Sequence, residues 1–522
     1  MNVSPGRPRE SAAGIVVLVG LVAVATLAGV IASDGNIGVA LAPVAALGLL
    51  YLLWHVPLRY PVLVLLFLAL TLENPGDDTA SSLWKSPLAP VGALLLGHWN
   101  LTIPVKALVF SGVDLLLVFF FLIALYRRMT RSPVDRNGFV ETASPMRFFG
   151  AMTIFGAFVL ESWGIVRGGM DFPNSLWQVQ RVIYLPLIFF LFHFAFRGPK
   201  DQAAVGKAII LAACVRAIAA WCIRNVITVT PCEVMPLSMT PSCATPYPIE
   251  MMPTATSHPD SMLFAGAFCL CVILFIEIPT RKNALVCGIV LPILTMGMIA
   301  NNRRLVFVEI ALALVVLFFV MPMTNVKRKV VRYTLMATPL ILLYVVLGWN
   351  KATGFFKVAG MIRSLVDSKS DASTEWRDLE NYDLFFTLKS SPVMGVGYGH
   401  PYIDQIRLPD VEAYYKLEHF IPHNSILGLW AYGGVIGFSL LWTFMIVGAF
   451  FAARSYKLAT RPIDRVAALA STLMFVIYLA HCYGDLGLGT WASVFLVASA
   501  LSVVGKLALT TGAWPSRRKA VA

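Results

Sequence analysis

Charged residues are scarce in this chain. Asp, Glu, Lys and Arg make up 13% of its 522 residues, whereas a soluble domain carries about 25%. Apolar runs near 20 residues long recur from end to end, and short alternating segments typical of a β-barrel do not. The sequence therefore predicts an all-α, polytopic integral membrane protein with about 12–14 transmembrane helices.

Several functional patterns are also missing. The sequence contains no CxxC or Cys/His metal spacing, no GxxxxGK[ST] phosphate loop and no internal repeat. We therefore expect no metal, no cofactor and no nucleotide-driven pump. Cys232 and Cys243 share one polar loop, and either a disulfide or two free thiols fits that pattern.

The net charge of +13 does not indicate nucleic-acid binding, because most Lys and Arg residues fall in short loops between apolar runs. If both termini are cytoplasmic, every basic cluster in a short loop lies inside except Arg303–Arg304, as the positive-inside rule requires. This pattern supports about fourteen spans, of which the third is short enough to be tilted, re-entrant or not a true span. The predicted spans are 13–32, 37–54, 58–73, 105–125, 147–166, 179–196, 203–222, 261–279, 283–300, 305–323, 333–349, 425–451, 465–482 and 490–508.

The span pattern divides the chain into three parts. Residues 1–349 carry the first eleven predicted spans, residues 350–424 form the largest outer loop, and residues 425–522 carry the last three spans and a cytoplasmic tail. Within the loop, residues 373–391 predict a short helix on or near the membrane surface, and "PVMGVGYGHP", residues 392–401, predicts a Gly-rich turn.

His423 lies where the outer loop meets the next span, in "IPHNSILG". Asn424 or Ser425 can cap the helix that follows, and helix N-termini attract anions. A neutral histidine there is suited to act as a base. The alternative is an interfacial histidine that only ends a span.

Arg303 and Arg304 break the positive-inside pattern between two apolar runs. Paired guanidinium groups suit a diphosphate, because each can bind two oxygens. The alternative is that both side chains reach lipid phosphates.

Other polar residues of the outer half are weaker candidates for substrate contact, each with a structural alternative. Arg216 lies inside a span, where a charge needs a polar cavity or a partner such as Glu161. The remaining candidates are Arg181 near an outer span end, Arg377 in the surface helix, Tyr398 in the Gly-rich turn, Asn424 beside His423, and Asp485, which either orients an acceptor hydroxyl or caps a helix.

Three segments resemble the O-antigen ligase/polymerase superfamily. They are "STEWRDLENYDLFFTLKSSPVMGVGYGHPY" followed by "PHNSILGLWAYGGVIGFSLL", and upstream "NNRRLVFVEIALALVVLF". The resemblance covers roughly residues 300–440. It places the family's essential histidine on His423 and an essential arginine on Arg303 or Arg304, although this chain departs from the family's usual Ser-Arg-Gly.

The resemblance implies a metal-independent glycosyltransferase of the bacterial inner membrane with its active site facing the periplasm. Its substrates would be an undecaprenyl-diphosphate-linked glycan donor and a glycan acceptor, and chain-length regulators or export proteins are further candidate partners. A polymerase of exported polysaccharide is the leading interpretation. The alternatives are a ligase that transfers glycan to lipid A–core and, from another class, a transporter, for which the absence of repeats is unfavourable.

Overall fold

The computed structural model describes most of the chain. The described residues are scattered positions between 20 and 51 and the ranges 53–73, 86–99, 110–130, 138–226, 255–323, 325–350, 354–366, 372–406 and 419–515. The predicted spans at 13–32 and 37–54 lie wholly or largely outside them, as do Cys232 and Cys243. The chain divides into two units, residues 1–61 and 62–522. Apart from the first three residues of the first helix, everything below concerns the second unit.

The described regular structure is helical. Besides a short 3₁₀ turn at Gly354–Phe356, the helices are α1 (Arg59–Thr71), α2 (Ala89–Leu95), α3 (Gly112–Met129), α4 (Ser144–Arg167), α5 (Phe172–Ala195), α6 (Gln202–Asn225), α7 (Asp260–Glu277), α8 (Arg281–Asn301), α9 (Leu305–Val320), α10 (Asn325–Gly348), α11 (Lys357–Val366), α12 (Ala372–Ser390), α13 (Ser425–Leu458), α14 (Pro462–Gly484) and α15 (Trp491–Thr510).

Nine helices of the described ranges are long and apolar enough to cross a membrane. The chain is thus a multi-pass membrane protein, and the predicted all-α class is confirmed. Two helices begin earlier than their hydropathy indicates. Helix α5 starts at Phe172, because the Asp171 side chain accepts a hydrogen bond from the Asn174 N–H and Pro173 fits the first turn. Helix α10 starts at Asn325, and its first two turns carry basic residues.

Small residues bring the transmembrane helices into close contact. A Cβ added at Gly297 of α8 would lie 2.4 Å from the Ala217 Cβ of α6. A Cβ at Gly437 of α13 would lie 2.6 Å from the Leu160 side chain of α4. Helices in lipid associate by such close packing, since no hydrophobic effect drives them together.

The candidate site lies at one end of the helix bundle. Helices α7, α9 and α13 begin there, and α8 and α14 end there. We call this the site end and the other the opposite end. The surface helix predicted at 373–391 is α12, which packs against α13 at the site end.

The Gly-rich turn forms backbone hydrogen bonds with helix α13 on both sides of a break in that helix. Gly434 leaves the helical conformation, with φ 56° and ψ −162°. On one side of the break, the N–H groups of Val396 and Gly397 donate to the carbonyls of Ala431 and Tyr432 at 3.0 and 2.9 Å. On the other side, the carbonyls of Pro392 and Val393 accept from the N–H groups of Val435 and Ile436 at 2.9 and 3.3 Å. The turn therefore satisfies backbone groups that lipid would leave without partners.

Candidate active site

His423 is held by a buried carboxylate of helix α12. The Glu380 side chain is fully buried and accepts a hydrogen bond from the His423 backbone N–H at 3.1 Å. The same carboxylate lies 3.3 Å from the His423 Nδ1, and the Trp376 ring meets the imidazole edge to face at 4.8 Å between centroids. The ring itself is half-buried at 22% exposure. Glu380 therefore fixes the position and orientation of an imidazole that solvent still reaches.

Asn424 caps helix α13, as predicted. Its side-chain oxygen accepts from the Leu427 N–H at 3.1 Å. Its amide nitrogen donates to Asn381 Oδ1 at 2.9 Å, which ties the helix start to α12 one residue after Glu380. The residue thus has a structural role in joining the two helices that form the histidine site.

Asp485 lies at the centre of the polar residues at the site end. It follows helix α14, is buried, and its carboxylate lies 2.8 Å from Nδ1 of His258. The other carboxylate oxygen accepts from the Leu486 N–H, and the Asp485 carbonyl accepts from the Ser425 hydroxyl at 3.2 Å. Asp485 thereby joins the start of α13 to the end of α14.

Cationic groups keep Asp485 ionised. Burial alone raises the pKa of its carboxyl, but the charge and hydrogen bond of His258, then the charges of Arg377 and Arg303, bring that pKa well below its usual value. The positive charges of Arg303 in the α8–α9 turn and of Arg377 in α12 therefore act on the same carboxylate. This is also the end of the bundle at which His423 lies.

The turn that carries the arginine pair is rigidly placed. Asn302 ends helix α8 in the left-handed conformation, with φ 58°. The buried Asn301 side chain accepts from the N–H and the hydroxyl of Thr256 at 3.1 and 3.0 Å. Arg304 is half-buried and directly precedes helix α9. The turn is thereby fixed to the segment that carries His258.

Arg216 is surrounded by carboxylates. Its side chain is 1% exposed and forms ion pairs with Glu73 and Asp260, both at 2.5 Å, and its Nη2 donates to Ser257 at 2.9 Å. Glu161, the partner weighed from the sequence, instead accepts from the Ser175 hydroxyl at 2.7 Å. This geometry favours a structural role for Arg216, since two carboxylates already compensate its charge.

Arg181 and Tyr398 line one small cavity at the site end, of about 40 Å³. The Nε of Arg181 and the hydroxyl of Tyr398 are both buried, and neither atom has a hydrogen-bond partner among the described residues. Burial and the charge of Glu161 raise the pKa of the Tyr398 hydroxyl, so it stays neutral. The cavity exceeds the volume that a water molecule needs, and Ser425 at the start of α13 forms part of its wall.

Two residues of this arrangement, Glu380 and His258, were missed by sequence reasoning. For Asp485 the sequence left two roles open, orienting an acceptor hydroxyl and capping a helix. The signal for Glu380 was present in "STEWRDLENYD", where an acid at the core-facing position of a surface helix is unusual. Nothing in the sequence indicated that His258 would meet Asp485, 227 residues later.

The arrangement combines a base with a cationic surface. His423 with Glu380 can accept a proton, and Arg303 and Arg377 supply positive charge nearby. In the described part of the chain, no group of three or more His, Cys, Asp and Glu side chains is arranged to hold a metal ion.

Residues 288–442 match the family described as O-Antigen ligase, Wzy_C. This segment runs from the middle of α8 to the middle of α13, and it includes Arg303, Arg304, Arg377, Glu380 and His423. A search of curated proteins finds no match. The segment belongs to the family, and the chain is accordingly a membrane enzyme of the glycan polymerase or ligase type. This match argues against the alternative that the chain is a transporter.

Proposed function

We propose that the chain polymerises undecaprenyl-diphosphate-linked oligosaccharide units into an exported polysaccharide, at the periplasmic face of the bacterial inner membrane. The observation that carries this proposal is the convergence at one bundle end of His423 with Glu380 and of Arg303 and Arg377 around Asp485. A lipid-linked donor holds its tail in the bilayer and its diphosphate at the interface, where these groups would meet it.

His423 is the base in this proposal. With its Nδ1–H donating to Glu380, a neutral imidazole carries its lone pair on Nε2. Nε2 takes the proton of an acceptor hydroxyl while that oxygen bonds to the anomeric carbon of the donor sugar. The buried Glu380 carboxylate then stabilises the imidazolium that forms.

The arginines act on the leaving group. As the bond between the anomeric carbon and the diphosphate oxygen breaks, the bonding electrons go to the diphosphate, and guanidinium groups neutralise the growing charge. Direct displacement inverts the anomeric carbon. The Asp485 carboxylate would repel the diphosphate because both are anionic, so we assign it the role of holding Arg303 and Arg377 in place rather than binding substrate.

The other predicted substrate contacts differ in how well their surroundings fit that role. Arg181 remains a proposed substrate contact, because its Nε is buried and lacks a partner beside the start of α13. Tyr398 is 2% exposed and is better suited to shape the cavity wall, while Asn424 positions the helix. Arg216 is reassigned to packing.

A ligase that transfers glycan to lipid A–core is the second candidate, and the description of the matched family favours it. A deletion strain separates the two. Loss of a polymerase leaves single lipid-linked repeat units, whereas loss of a ligase leaves long lipid-linked polymer that never reaches lipid A–core. Single repeat units would support polymerisation, and accumulated long polymer would contradict it.

Sidedness is tested by residue-specific labelling. Single cysteines at positions 303, 377 and 423 should all react with a membrane-impermeant thiol reagent added to the periplasm, and a cysteine at position 457 should not. Protection of position 303 or 423 under these conditions would contradict a shared periplasmic site.

A further inference from the structure

An apolar groove opens on the opposite end of the bundle, away from the candidate active site. Helices α6, α14 and α15 form its walls and α7 its floor, and it encloses about 290 Å³. The space exists because small residues face it, among them Gly206, Gly266 and Ala467. The groove takes in residues near the starts of α6, α8 and α14, the ends of these helices that lie farthest from Asp485.

A buried amide without partners marks the polar end of this groove. Gln202, the first residue of α6, is 6% exposed and lines the groove. Neither its Oε1 nor its Nε2 has a hydrogen-bond partner among the described residues. A buried amide left unsatisfied is costly, so a ligand that supplies both a donor and an acceptor would be stabilised here.

A cation lies at the same rim. Lys207 lines the groove and is exposed, one and a half turns along α6 from Gln202. Three carboxylates at this end, Asp201, Asp464 and Glu277, are each paired with an arginine, at 2.7, 2.8 and 3.0 Å. The charge of Lys207 is therefore available to an anion at the rim.

We propose that this groove binds an anionic phospholipid of the leaflet opposite the active site. One acyl chain fills the space between α6, α14 and α15, and the phosphate lies against Lys207. An ester oxygen accepts a hydrogen bond from the Gln202 Nε2, and a glycerol hydroxyl of the headgroup donates one to the Gln202 Oε1. The apolar walls of the groove match an acyl chain, and the Gln202 amide and Lys207 match a polar, anionic headgroup. The site takes a structural lipid, which holds α6 against α14 and is not consumed.

Native mass spectrometry of the full-length, delipidated protein tests the site, with added phosphatidylglycerol or phosphatidylcholine as the probe. We expect the wild type to retain phosphatidylglycerol in preference. Lys207→Gln should weaken that binding about fivefold, as expected for one lysine at a lipid surface, and Gln202→Leu should weaken it further. Lys457→Gln is the matched control, since Lys457 is exposed near the same end and does not line the groove.

Variants that fill the groove with a larger side chain give a second test of the site, one that does not depend on charge. Ala467→Phe should abolish retention of both lipids, and Gly206→Leu narrows the groove from the opposite wall if the first variant does not fold. Equal binding of the two lipids by the wild type, or unchanged phosphatidylglycerol binding in Lys207→Gln, would overturn the headgroup site. Unchanged binding in a folded groove-filled variant would overturn the groove.

Discussion

The imidazole of His481 and the carboxylate of Glu309 form a buried pair, 2.7 Å apart, that joins helices α14 and α9. Helix α9 begins immediately after Arg304, and α14 ends immediately before Asp485. The pair thus lies about one helical turn deeper in the bundle than the α8–α9 turn and the Asp485 carboxylate. Its side chains are 0–1% exposed, so it sets the relative position of these two parts of the site.

Glu309→Leu should destabilise the protein and displace Arg303 from Asp485. Removing one partner of a buried pair costs about 3–5 kcal/mol, whereas replacing both with apolar residues is often neutral. Thermal unfolding in detergent should show a large loss for Glu309→Leu and partial recovery in the double variant with His481→Leu. Additive losses in the double-mutant cycle would show that the two residues do not act as a pair.

Glu380→Gln should lower the turnover rate about 100-fold, within the range for loss of acid–base assistance. The amide can still accept from the His423 N–H, but it no longer stabilises an imidazolium. The rate of glycan transfer and its pH profile measure the effect. Asp378→Asn is the matched control, because Asp378 lies on the same helix with an exposed side chain. Equal activity of the two variants would contradict a role for Glu380.

Arg303→Gln should reduce activity more than Arg304→Gln. The charge of Arg303 acts on Asp485 within the site, and a single donor to a developing oxyanion contributes about 100-fold. Comparison of the turnover rates at saturating donor distinguishes the two arginines. A larger loss in Arg304→Gln would place the second arginine, rather than the first, at the leaving group.

Asp485→Asn should lose stability at neutral pH. Because the folded pKa of Asp485 lies well below its usual value of 3.8, its ionised form contributes stability above about pH 4, and this contribution is lost as the pH falls through the folded pKa. The difference in unfolding temperature between the wild type and Asp485→Asn should therefore be constant at mildly acidic pH and shrink below pH 4. A difference that grows on acidification would contradict this sign.

Gly395→Ala should destabilise the packing of the Gly-rich turn against the break in α13. Gly395 has φ 67°, and a Cβ there would lie 2.3 Å from the Tyr432 backbone. The strained conformation alone costs about 1–3 kcal/mol, and the clash adds to it. Gly168→Ala is the control, because Gly168 has φ 79° with nothing within 4 Å of an added Cβ. Similar unfolding temperatures for the two variants would show that the close approach to α13 is unimportant.

The membrane helices were predictable because each corresponds to a long apolar run in the sequence. Helix α7 (Asp260–Glu277) and helix α15 (Trp491–Thr510) differ from their predicted spans by no more than two residues at either end. The start of α5 was missed, since Asn174, Ser175 and Gln178 in its first two turns lower the local hydropathy although these residues are helical.

The site was only partly predictable. His423 and Arg303 stand out because each is polar at a span boundary, and the structure brings both to one end. The Gly-rich turn was predicted from its composition, but no local pattern indicated that Gly395 approaches the backbone of α13 and Gly397 that of α4. The pairing of Asp485 with His258 depends on how α7 and α14 pack, and no local pattern in either segment encodes that contact.

Glycan transfer by the purified protein in lipid vesicles tests the central claim most directly. The substrate is a lipid-linked repeat unit, and the products are resolved by length. The wild type and Asp378→Asn should form longer lipid-linked glycan and release polyprenyl diphosphate, whereas His423→Ala and Arg303→Gln should form almost none while remaining folded. Wild-type product formation by both of the latter variants would contradict a site built from the imidazole and the guanidinium.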